Sequence, residues 1–321
     1  MGTLDHGDAT RPEGGFRLGL IGAGRMGRTH LQAIAASQTV RVTGVVDSDP
    51  GTRTVVEAAG IRAYPSLGEL LAASEIDGVL IAVPTSRHVG VLEQVAAAGI
   101  PVLCEKPCGL TVEQTRQCAT AASRAGVLLQ VAYWRRFVPA LIELRQQVRS
   151  GELGDILAVN CYQWDVAPPS AEFRGSSGGI FVDMGVHEFD QVRWLTGQEF
   201  TTVQVASSAA GQDGGDPDCA QLIAELDGGS TAIVSLGRWH PAGDTCKVEV
   251  FGTKGTVSCQ FLDPVDGDAV FHHALLRQAE EFAAAVRADG TGVARSTGGS
   301  SADDALAALA VAAEADAKQA R

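Results

Sequence analysis

The sequence has no apolar run long enough to cross a membrane as a helix. Its unbroken apolar stretches are short, such as residues 79–84, whereas a span needs about 18 residues. Basic residues are also scarce: 25 Lys and Arg stand against 38 Asp and Glu, which gives a formal net charge of −13. Nucleic acids and anionic membranes are bound through basic surfaces, so we expect neither as a partner.

The cysteines do not have the number or spacing of a disulfide framework. Seven are present, an odd number, and no two of them have the C-x-x-C spacing. This pattern argues against a disulfide framework and against a cysteine-based zinc site. We therefore expect reduced thiols in the cytoplasm and chemistry that needs no metal.

What is present is a chain of 321 residues, 45% hydrophobic and 20% charged, which is enough for two domains with buried cores. Residues 1–15 are polar and are predicted to be a disordered leader. The change in pattern described below predicts a first domain over residues 16–135 and a second over 136–321, whose last helix could pack back on the first domain. Residues 291–301 are predicted to form a loop.

The first half alternates short apolar strands with helices. Strand-like runs over residues 17–21, 40–46, 78–83, 102–105 and 127–133 are separated by helical stretches. This cadence predicts βαβ units and a parallel sheet, and the lack of alternation within the runs is typical of strands buried on both faces.

After about residue 150 the pattern changes to a strong helix over residues 180–195, then several strands. Turn sequences at 227–230 and 252–255 indicate β-hairpins. The fold class predicted is α/β plus α+β: a doubly wound Rossmann sheet, then a mostly antiparallel open sheet with helices on one face.

A glycine fingerprint follows the first strand. Gly22, Gly24 and Gly27 form G-x-G-x-x-G at the start of a helix, and Asp47 ends the next strand twenty residues after Gly27. In this context the motif predicts a dinucleotide site, with phosphates on the helix amides and Asp47 on the adenosine ribose. Asp47 favours NAD over NADP, although Arg25 or Arg53 could reach a phosphate. The alternative is a glycine-rich turn that binds no ligand.

Two segments carry candidate chemistry. On the helix over residues 180–195, Asp183, His187, Asp190 and Trp194 fall within roughly 60° of one another at about 100° per residue. A histidine between carboxylates can take a proton from an alcohol. The alternative is a solvated polar face with Trp194 in the core.

The second segment is Glu105-Lys106-Pro107, at the carboxyl end of a predicted parallel strand. Lys106 can hydrogen-bond a substrate hydroxyl there, or it is simply a surface lysine at a strand end.

Competing signals are weaker. Residues 175–179 formally match the G-x-S-x-G elbow of hydrolases, but the preceding Pro168-Pro169-Ser170-Ala171 is poor strand. His272 and His273 are adjacent and so project to different sides of a helix. Cys104 and Cys108 are interpreted as packing residues.

Taken together, these motifs resemble the Gfo/Idh/MocA family of NAD(P)-dependent sugar and polyol oxidoreductases, most closely its inositol 2-dehydrogenases. The resemblance spans residues 17–321. It rests on the fingerprint, Val83-Pro84-Thr85-x-x-His88, Glu105-Lys106-Pro107, Trp134-Arg135-Arg136-Phe137 and Asp183-x-x-x-His187-x-x-Asp190.

The resemblance implies roles for particular residues. It makes Lys106, Asp183 and His187 the catalytic residues. The implied cofactor contacts are Gly22, Gly24, Arg25, Met26, Gly27, Asp47, Thr85, Ser86, His88, Glu105 and Lys106. The implied substrate contacts are Lys106, Trp134, Gln163, Asp165, Asp183 and His187.

The substrate expected is a cyclic polyol, with myo-inositol or scyllo-inositol oxidised to the keto-inositol by NAD. Gln163-Trp164-Asp165 stands where inositol dehydrogenases carry a His-x-Asn pair, so an aldose or anhydrosugar is the nearest alternative. NAD-assisted glycoside cleavage and a non-catalytic sensor of sugar or nucleotide are further ones. The resemblance also implies a homo-oligomer, a tetramer or dimer built through the open sheet.

Overall fold

The computed structural model describes residues 14–73, 75–209, 216–288 and 298–319. Most of the predicted leader and of the predicted loop at 291–301 therefore lies outside the described residues. The chain divides into two units: Met1–Gly109, Gln114–Ala132 and His272–Ala302 form unit 1, while Leu110–Glu113, Tyr133–Phe271 and Asp303–Arg321 form unit 2. Within the described ranges, no helix combines the length and the apolar character that a membrane crossing requires.

Unit 1 is built on a six-stranded parallel sheet in the order β3-β2-β1-β4-β5-β6. Its strands are β1 (Phe16–Ile21), β2 (Val40–Val46), β3 (Ala63–Tyr64), β4 (Gly78–Ile81), β5 (Val102–Cys104) and β6 (Leu129–Val131). The connecting helices are α1 (Arg25–Ile34), α2 (Pro50–Ala58), α3 (Leu67–Ala73), α4 (His88–Ala97) and α5 (Val112–Ala125). The predicted doubly wound fold is confirmed.

The core of unit 1 explains its apolar strands. Leu18, Leu20 and Leu80 are fully buried, as expected for strands covered on both faces. Phe16 meets Phe282 edge to face, with ring centroids 5.9 Å apart. Phe282 lies on α9 (Gly267–Ala288), so a late segment of the chain completes this core.

Unit 2 contains a six-stranded mixed sheet in the order β12-β11-β7-β10-β9-β8. Its strands are β7 (Ile156–Trp164), β8 (Phe200–Ser208), β9 (Cys219–Leu226), β10 (Thr231–Gly237), β11 (Thr245–Gly252) and β12 (Thr256–Leu262). Its helices are α6 (Pro139–Arg149), α7 (Ala171–Ser176), α8 (Val186–Thr196) and α10 (Ala302–Gln319). The β9–β10 and β11–β12 hairpins form at the predicted turns, and β7 with β10 is the parallel pair in an otherwise antiparallel sheet.

One face of this sheet is covered and the other is not. Along β7, Val159 and Cys161 are fully buried and pack under α8. On the opposite face, Ile223 is 56% exposed and its cross-strand partner Ile233 is 38% exposed. The sheet therefore has the half-covered character predicted for the second domain.

The chain approaches itself closely in the turn between β1 and α1. Gly22 has φ +94°, and a Cβ on Gly27 would stand 2.0 Å from the Gly22 carbonyl oxygen. At Gly90, the third residue of α4 as Gly27 is of α1, a Cβ would have no heavy atom within 4 Å.

We expect Gly27→Ala to destabilise the protein and Gly90→Ala not to. Alanine is the better helix former by up to about 1 kcal/mol, so Gly90→Ala should leave the melting temperature unchanged or raise it. Gly27→Ala should cost about 1–3 kcal/mol or more, because the new methyl overlaps a carbonyl that cannot retreat. Thermal unfolding of both variants measures this, and equal melting temperatures would contradict the close approach.

Candidate active site

The fingerprint glycines leave an open helix end in unit 1. Gly24 is the N-cap of α1, and no side chain caps the helix there. A Cβ on Gly24 would meet nothing within 4 Å, Arg25 is exposed and Met26 is half-buried. First-turn amides that face open space at a helix N-terminus can hold a diphosphate. The loop thus fits the dinucleotide that the sequence predicts.

Asp47 is oriented against this loop by main-chain donors. Its Oδ2 accepts a hydrogen bond from the Ala23 amide at 2.8 Å, and its Oδ1 accepts one from the Asp49 amide at 2.9 Å. Arg53 donates to the carbonyl oxygens of Asp47 and Ser48 at 2.8 and 3.0 Å. Arg53 is therefore engaged with main chain, while the carboxylate stands beside the fingerprint loop, where a ribose would lie.

The segment after β4 brings Thr85, Ser86 and His88 to the same sheet edge. Thr85 is half-buried and Ser86 is exposed. His88 is fully buried, with Nδ1 3.0 Å from the Pro107 carbonyl oxygen and Nε2 2.9 Å from that of Val83. The described contacts of His88 thus hold two strand-end loops together. A cofactor contact through this ring, which the resemblance implies, stays a prediction.

Lys106 follows β5 and is half-buried, with a cis peptide bond to Pro107. The preceding Glu105 is buried, and its carboxylate lies 2.6 Å from Nε2 of His30 and accepts the Lys106 amide at 3.0 Å. Burial alone would raise the pKa of the Glu105 carboxyl. The hydrogen bond and charge of His30, helped by Lys106, outweigh burial and hold that pKa below its ordinary value. Glu105 is therefore a buried carboxylate kept ionised beside Lys106.

In unit 2, His187 sits among aromatic rings near the start of α8. It is 6% exposed, and its ring meets the edges of Tyr133 and Trp134 at centroid distances of 5.8 and 6.3 Å. Trp134 is itself held edge to face by Phe271 at 4.9 Å. Packing on these sides fixes the plane of the imidazole, which a proton acceptor requires.

Asp183 lies in a π-helical turn, Phe181–Gly185, that precedes α8. The prediction of a regular α-helix from residue 180 is wrong for this turn. A π-helical turn contains more residues than an α-helical one, so the angular spacing assumed from the sequence does not hold across it. Gly185 lies in this turn, where a Cβ would stand 2.9 Å from the Phe189 ring. Such turns are frequent at functional sites.

A buried arginine directly after β10 faces Asp183. Arg238 is fully buried, with Nη2 3.7 Å from Asp183 Oδ2 and 3.0 Å from Asp216 Oδ2. Asp216 also accepts the Ile180 amide at 2.8 Å, which anchors the start of the π-helical turn. Arg238 was not found from the sequence because its partners are 55 and 22 positions away. The guanidinium therefore places a buried positive charge within ion-pair distance of the Asp183 carboxylate.

Gln163 and Asp165 lie at the end of β7 in a hydrogen-bonded chain. The Gln163 amide donates to Asp165 Oδ1 at 3.3 Å, and its oxygen accepts from Arg135 Nη2 at 2.7 Å. Arg135 is buried and also forms an ion pair with the fully buried Glu188. The adjacent arginines of the Trp134–Phe137 segment could have signalled this pair, since two arginines in an apolar run must find partners.

Asp190 and Trp194, later on α8, each contact an arginine. Asp190 is buried and accepts from Arg136 Nε at 2.9 Å, while the Arg145 guanidinium lies 4.7 Å from the Trp194 ring centroid. Asp190 is thus held in an ion pair and Trp194 in a cation–π contact. The hydrolase elbow at residues 175–179 also lacks its context, because the helix α7 occupies the place where that motif needs a strand.

Asp316, on α10, is a half-buried carboxyl that feels the negative charge of Asp216. Burial, and then the negative charge of Asp216, raise the pKa of Asp316 to about 6. Folding raises the pKa of this acid, so the folded state keeps its proton up to a higher pH than the unfolded state does. The free energy of unfolding therefore falls as the pH rises from about 4 through 6.

We therefore expect Asp316→Asn to stabilise the protein at pH 8 by on the order of 1 kcal/mol, discounted for partial solvent screening. The gain should vanish near pH 4, where the aspartate is already protonated in the folded state. Glu314→Gln, on an exposed part of α10, is the control and should change stability by less than about 0.5 kcal/mol. Chemical denaturation at the two pH values measures this, and an equal gain at both would contradict the assignment.

Two family models match the chain. The one described as "Oxidoreductase family, NAD-binding Rossmann fold" matches residues 16–133. The one described as "GFO/IDH/MocA C-terminal domain" matches residues 141–258. The first match agrees with the open helix end and with Asp47, and the predicted NAD cofactor is confirmed.

Known proteins are similar over most of their length. The rhizopine catabolism protein MocA of Rhizobium meliloti is 50% identical over 300 residues, which cover 92% of this chain and 93% of that protein. Inositol 2-dehydrogenase of Rhizobium meliloti strain 1021 is 33% identical over 253 residues, covering 78% of this chain and 77% of that protein. The crystal structure of a myo-inositol dehydrogenase from Corynebacterium glutamicum ATCC 13032 has a TM-score of 0.85 at 26% identity and covers 95% of this chain and 97% of that one. The chain therefore belongs to the Gfo/Idh/MocA family of NAD-binding oxidoreductases and is of the inositol dehydrogenase type.

Proposed function

We propose that the protein oxidises a secondary alcohol of a cyclic polyol to the ketone, with NAD as hydride acceptor. The best candidates are myo-inositol and scyllo-inositol. Lys106, Asp183 and His187 carry the reaction. The observation that carries the proposal is the setting of His187: a nearly buried imidazole between aromatic ring edges, four residues after a carboxylate that faces a fully buried arginine.

His187 is the general base. A secondary hydroxyl does not ionise at neutral pH. Its oxidation therefore needs a group that removes the hydroxyl proton as hydride leaves the carbon. An imidazole fits because its charge changes in the neutral pH range, and Asp183 orients the ring and stabilises the imidazolium. Arg238 holds the Asp183 carboxylate in place through their ion pair.

Lys106 holds the reacting oxygen. Its ammonium donates a hydrogen bond to the hydroxyl and stabilises the negative charge that develops on oxygen as the proton departs. NAD, when bound, supplies the electrophilic nicotinamide carbon C4 that receives the hydride. The alcohol thus loses two electrons and two hydrogens, one as a proton to His187 and one as hydride.

Gln163 and Asp165 are assigned to substrate selection, with Trp134 as the aromatic wall. The Gln163 amide is held by Arg135 on one side and donates to Asp165 on the other, so both side chains present fixed polar atoms at the end of β7. A polyol ring with several hydroxyls suits such a set. Because these side chains replace a His-x-Asn pair, an aldose or anhydrosugar is the second candidate. The name of the 50% identical relative places a rhizopine among the compounds to test.

We also propose a cytoplasmic location and a homo-oligomeric state. All seven cysteines are free thiols, which suits a reducing cytoplasm. The uncovered face of the second sheet exposes Ile223 and Ile233 side by side, and a second copy of the chain is the partner that we propose for this face. The result is a homo-oligomer, a dimer or tetramer.

We expect the wild-type protein to reduce NAD with myo-inositol or scyllo-inositol in a panel that also contains D-chiro-inositol, D-glucose, L-glucose, xylose, levoglucosan and a rhizopine. His187→Ala should lower kcat/KM by roughly 10²–10⁴-fold, because general-base catalysis contributes about that much. Its Kd for NAD should stay within about threefold. His273→Ala, an exposed histidine on α9, is the matched control and should retain wild-type turnover.

Several outcomes would contradict this assignment. Turnover of His187→Ala within a few-fold of wild type would remove His187 from the role of base. Activity on a pyranose alone would keep the mechanism and move the substrate to the second candidate. Cleavage of a chromogenic glycoside would indicate NAD-assisted elimination, and NAD binding without any turnover would indicate a sensor.

Asp47 should decide between the two nicotinamide cofactors. A carboxylate at this place accepts hydrogen bonds from the ribose hydroxyls and repels a 2′-phosphate. Asp47→Asn keeps the shape and removes the charge, so the ratio of kcat/KM with NADP to that with NAD should rise by roughly tenfold or more, in line with the 1.5–3 kcal/mol of a charged hydrogen bond. Asp49→Asn, at the neighbouring N-cap of α2, should leave the ratio unchanged. An unchanged ratio in Asp47→Asn would contradict the role.

A further inference from the structure

His30 and Glu105 form a buried pair within unit 1 that the mechanism has not used. His30 lies on α1, three residues after the last fingerprint glycine, and is 1% exposed. Its Nε2 is 2.6 Å from Glu105 Oε1, across 75 positions of sequence. Glu105 is 7% exposed and follows β5. The pair therefore links the helix that opens the dinucleotide site to the strand end that carries Lys106.

The second oxygen of Glu105 continues the link. Its Oε2 accepts the main-chain amide of Lys106 at 3.0 Å, and the Glu105 amide donates to the Ile81 carbonyl oxygen at 2.9 Å. Glu105 is thus tied to β4 through its main chain, to α1 through Oε1 and to Lys106 through Oε2. The hydrogen bond to the Lys106 amide fixes the backbone from which the ammonium projects.

The energetics make His30 the partner on which this arrangement depends. A buried carboxylate without a hydrogen-bonded partner is costly and either takes up a proton or moves toward water. Movement toward water would take the acceptor away from the Lys106 amide, and protonation would weaken the hydrogen bond, because a neutral carboxyl accepts less strongly than a carboxylate. Removing the imidazole is therefore expected to disturb Lys106 although His30 does not touch it in the described contacts.

We propose that His30 is a positioning residue for catalysis: through Glu105 it holds the main chain of Lys106 and so places the ammonium that receives the substrate oxygen. The inference rests on the proposed role of Lys106 in catalysis. Helix α1 would then contribute twice to the site, through its first turn for the cofactor and through His30 for the main chain of Lys106. Glu105 acts in this scheme through Lys106 and not by contact with the reacting atoms.

The test compares His30→Leu, which removes the imidazole, with His30→Gln, whose side-chain amide can donate to Glu105 from nearly the same place. His30→Leu should lower kcat by roughly 10–100-fold, the scale of a misplaced catalytic group, with the Kd for NAD within about threefold of wild type. His30→Gln should recover kcat to within about fivefold. Ile34→Val, a buried change on the same helix, is the control for a general loss of packing and should keep wild-type kcat.

A measurement that does not depend on enzyme turnover tests the role of His30 independently of the proposed function. Hydrogen exchange of the Lys106 amide, followed by NMR on the NAD-free protein, should be at least tenfold faster in His30→Leu than in wild type. It should be restored in His30→Gln and little changed in Ile34→Val. If wild type oxidises no compound of the panel, the proposed function fails, while this exchange rate still decides whether His30 holds the lysine backbone.

Three results would overturn the inference. The first is a folded His30→Leu, by circular dichroism, with wild-type kcat or wild-type exchange at Lys106. The second is an equal loss in Ile34→Val, which would make the effect one of packing. The third is a Kd for NAD that worsens as much as kcat falls, which would make His30 a part of cofactor binding.

Discussion

A charged side chain that is buried needs a partner of opposite charge, and three such buried pairs connect distant segments within the two units of the protein. Glu105 is buried against His30, Arg135 against Glu188, and Arg136 against Asp190. Each pair joins segments that are more than 50 positions apart in sequence. Losing one partner would leave a buried ion alone, which typically costs 3–5 kcal/mol. The pairs therefore fix where strand ends and helix starts lie, and the candidate catalytic residues sit beside them.

The first unit adds a second constraint, the common direction of parallel strands. Because the strands of a doubly wound sheet end at one edge, the segments after β1, β2, β4 and β5 converge there. This brings the fingerprint loop, Asp47, Thr85 and Lys106 to that edge, and the hydrogen bond from the Ala23 amide to Asp47 joins two of these segments directly. In the second unit, the position of Asp183 is set by the π-helical turn that contains it and by its ion pair with Arg238. His187 follows four residues later.

Local signals explain what could be predicted from the sequence. Strand cadence, hairpin turns and the fingerprint are short-range features, and the two kinds of sheet, the NAD site and the family follow from them. The π-helical turn has no equally local signal, and the hydrogen bond at its start comes from Asp216, 36 positions away from Ile180. His30, Arg135 and Arg238 were missed for the same reason, because a buried ion is recognised by its partner and the partner is distant in sequence.

The central claim is that hydride leaves a ring carbon of a cyclic polyol while His187 takes the hydroxyl proton. Its most direct test is the reaction of NAD with myo-inositol deuterated at all six ring carbons, with the reduced cofactor analysed by mass spectrometry for wild type and His187→Ala. The account predicts one deuterium in the reduced cofactor for each ketone formed by wild type, and almost no reduced cofactor from the variant. Ketone formed without deuterium in the cofactor, or equal formation of deuterated cofactor by both proteins, would contradict it.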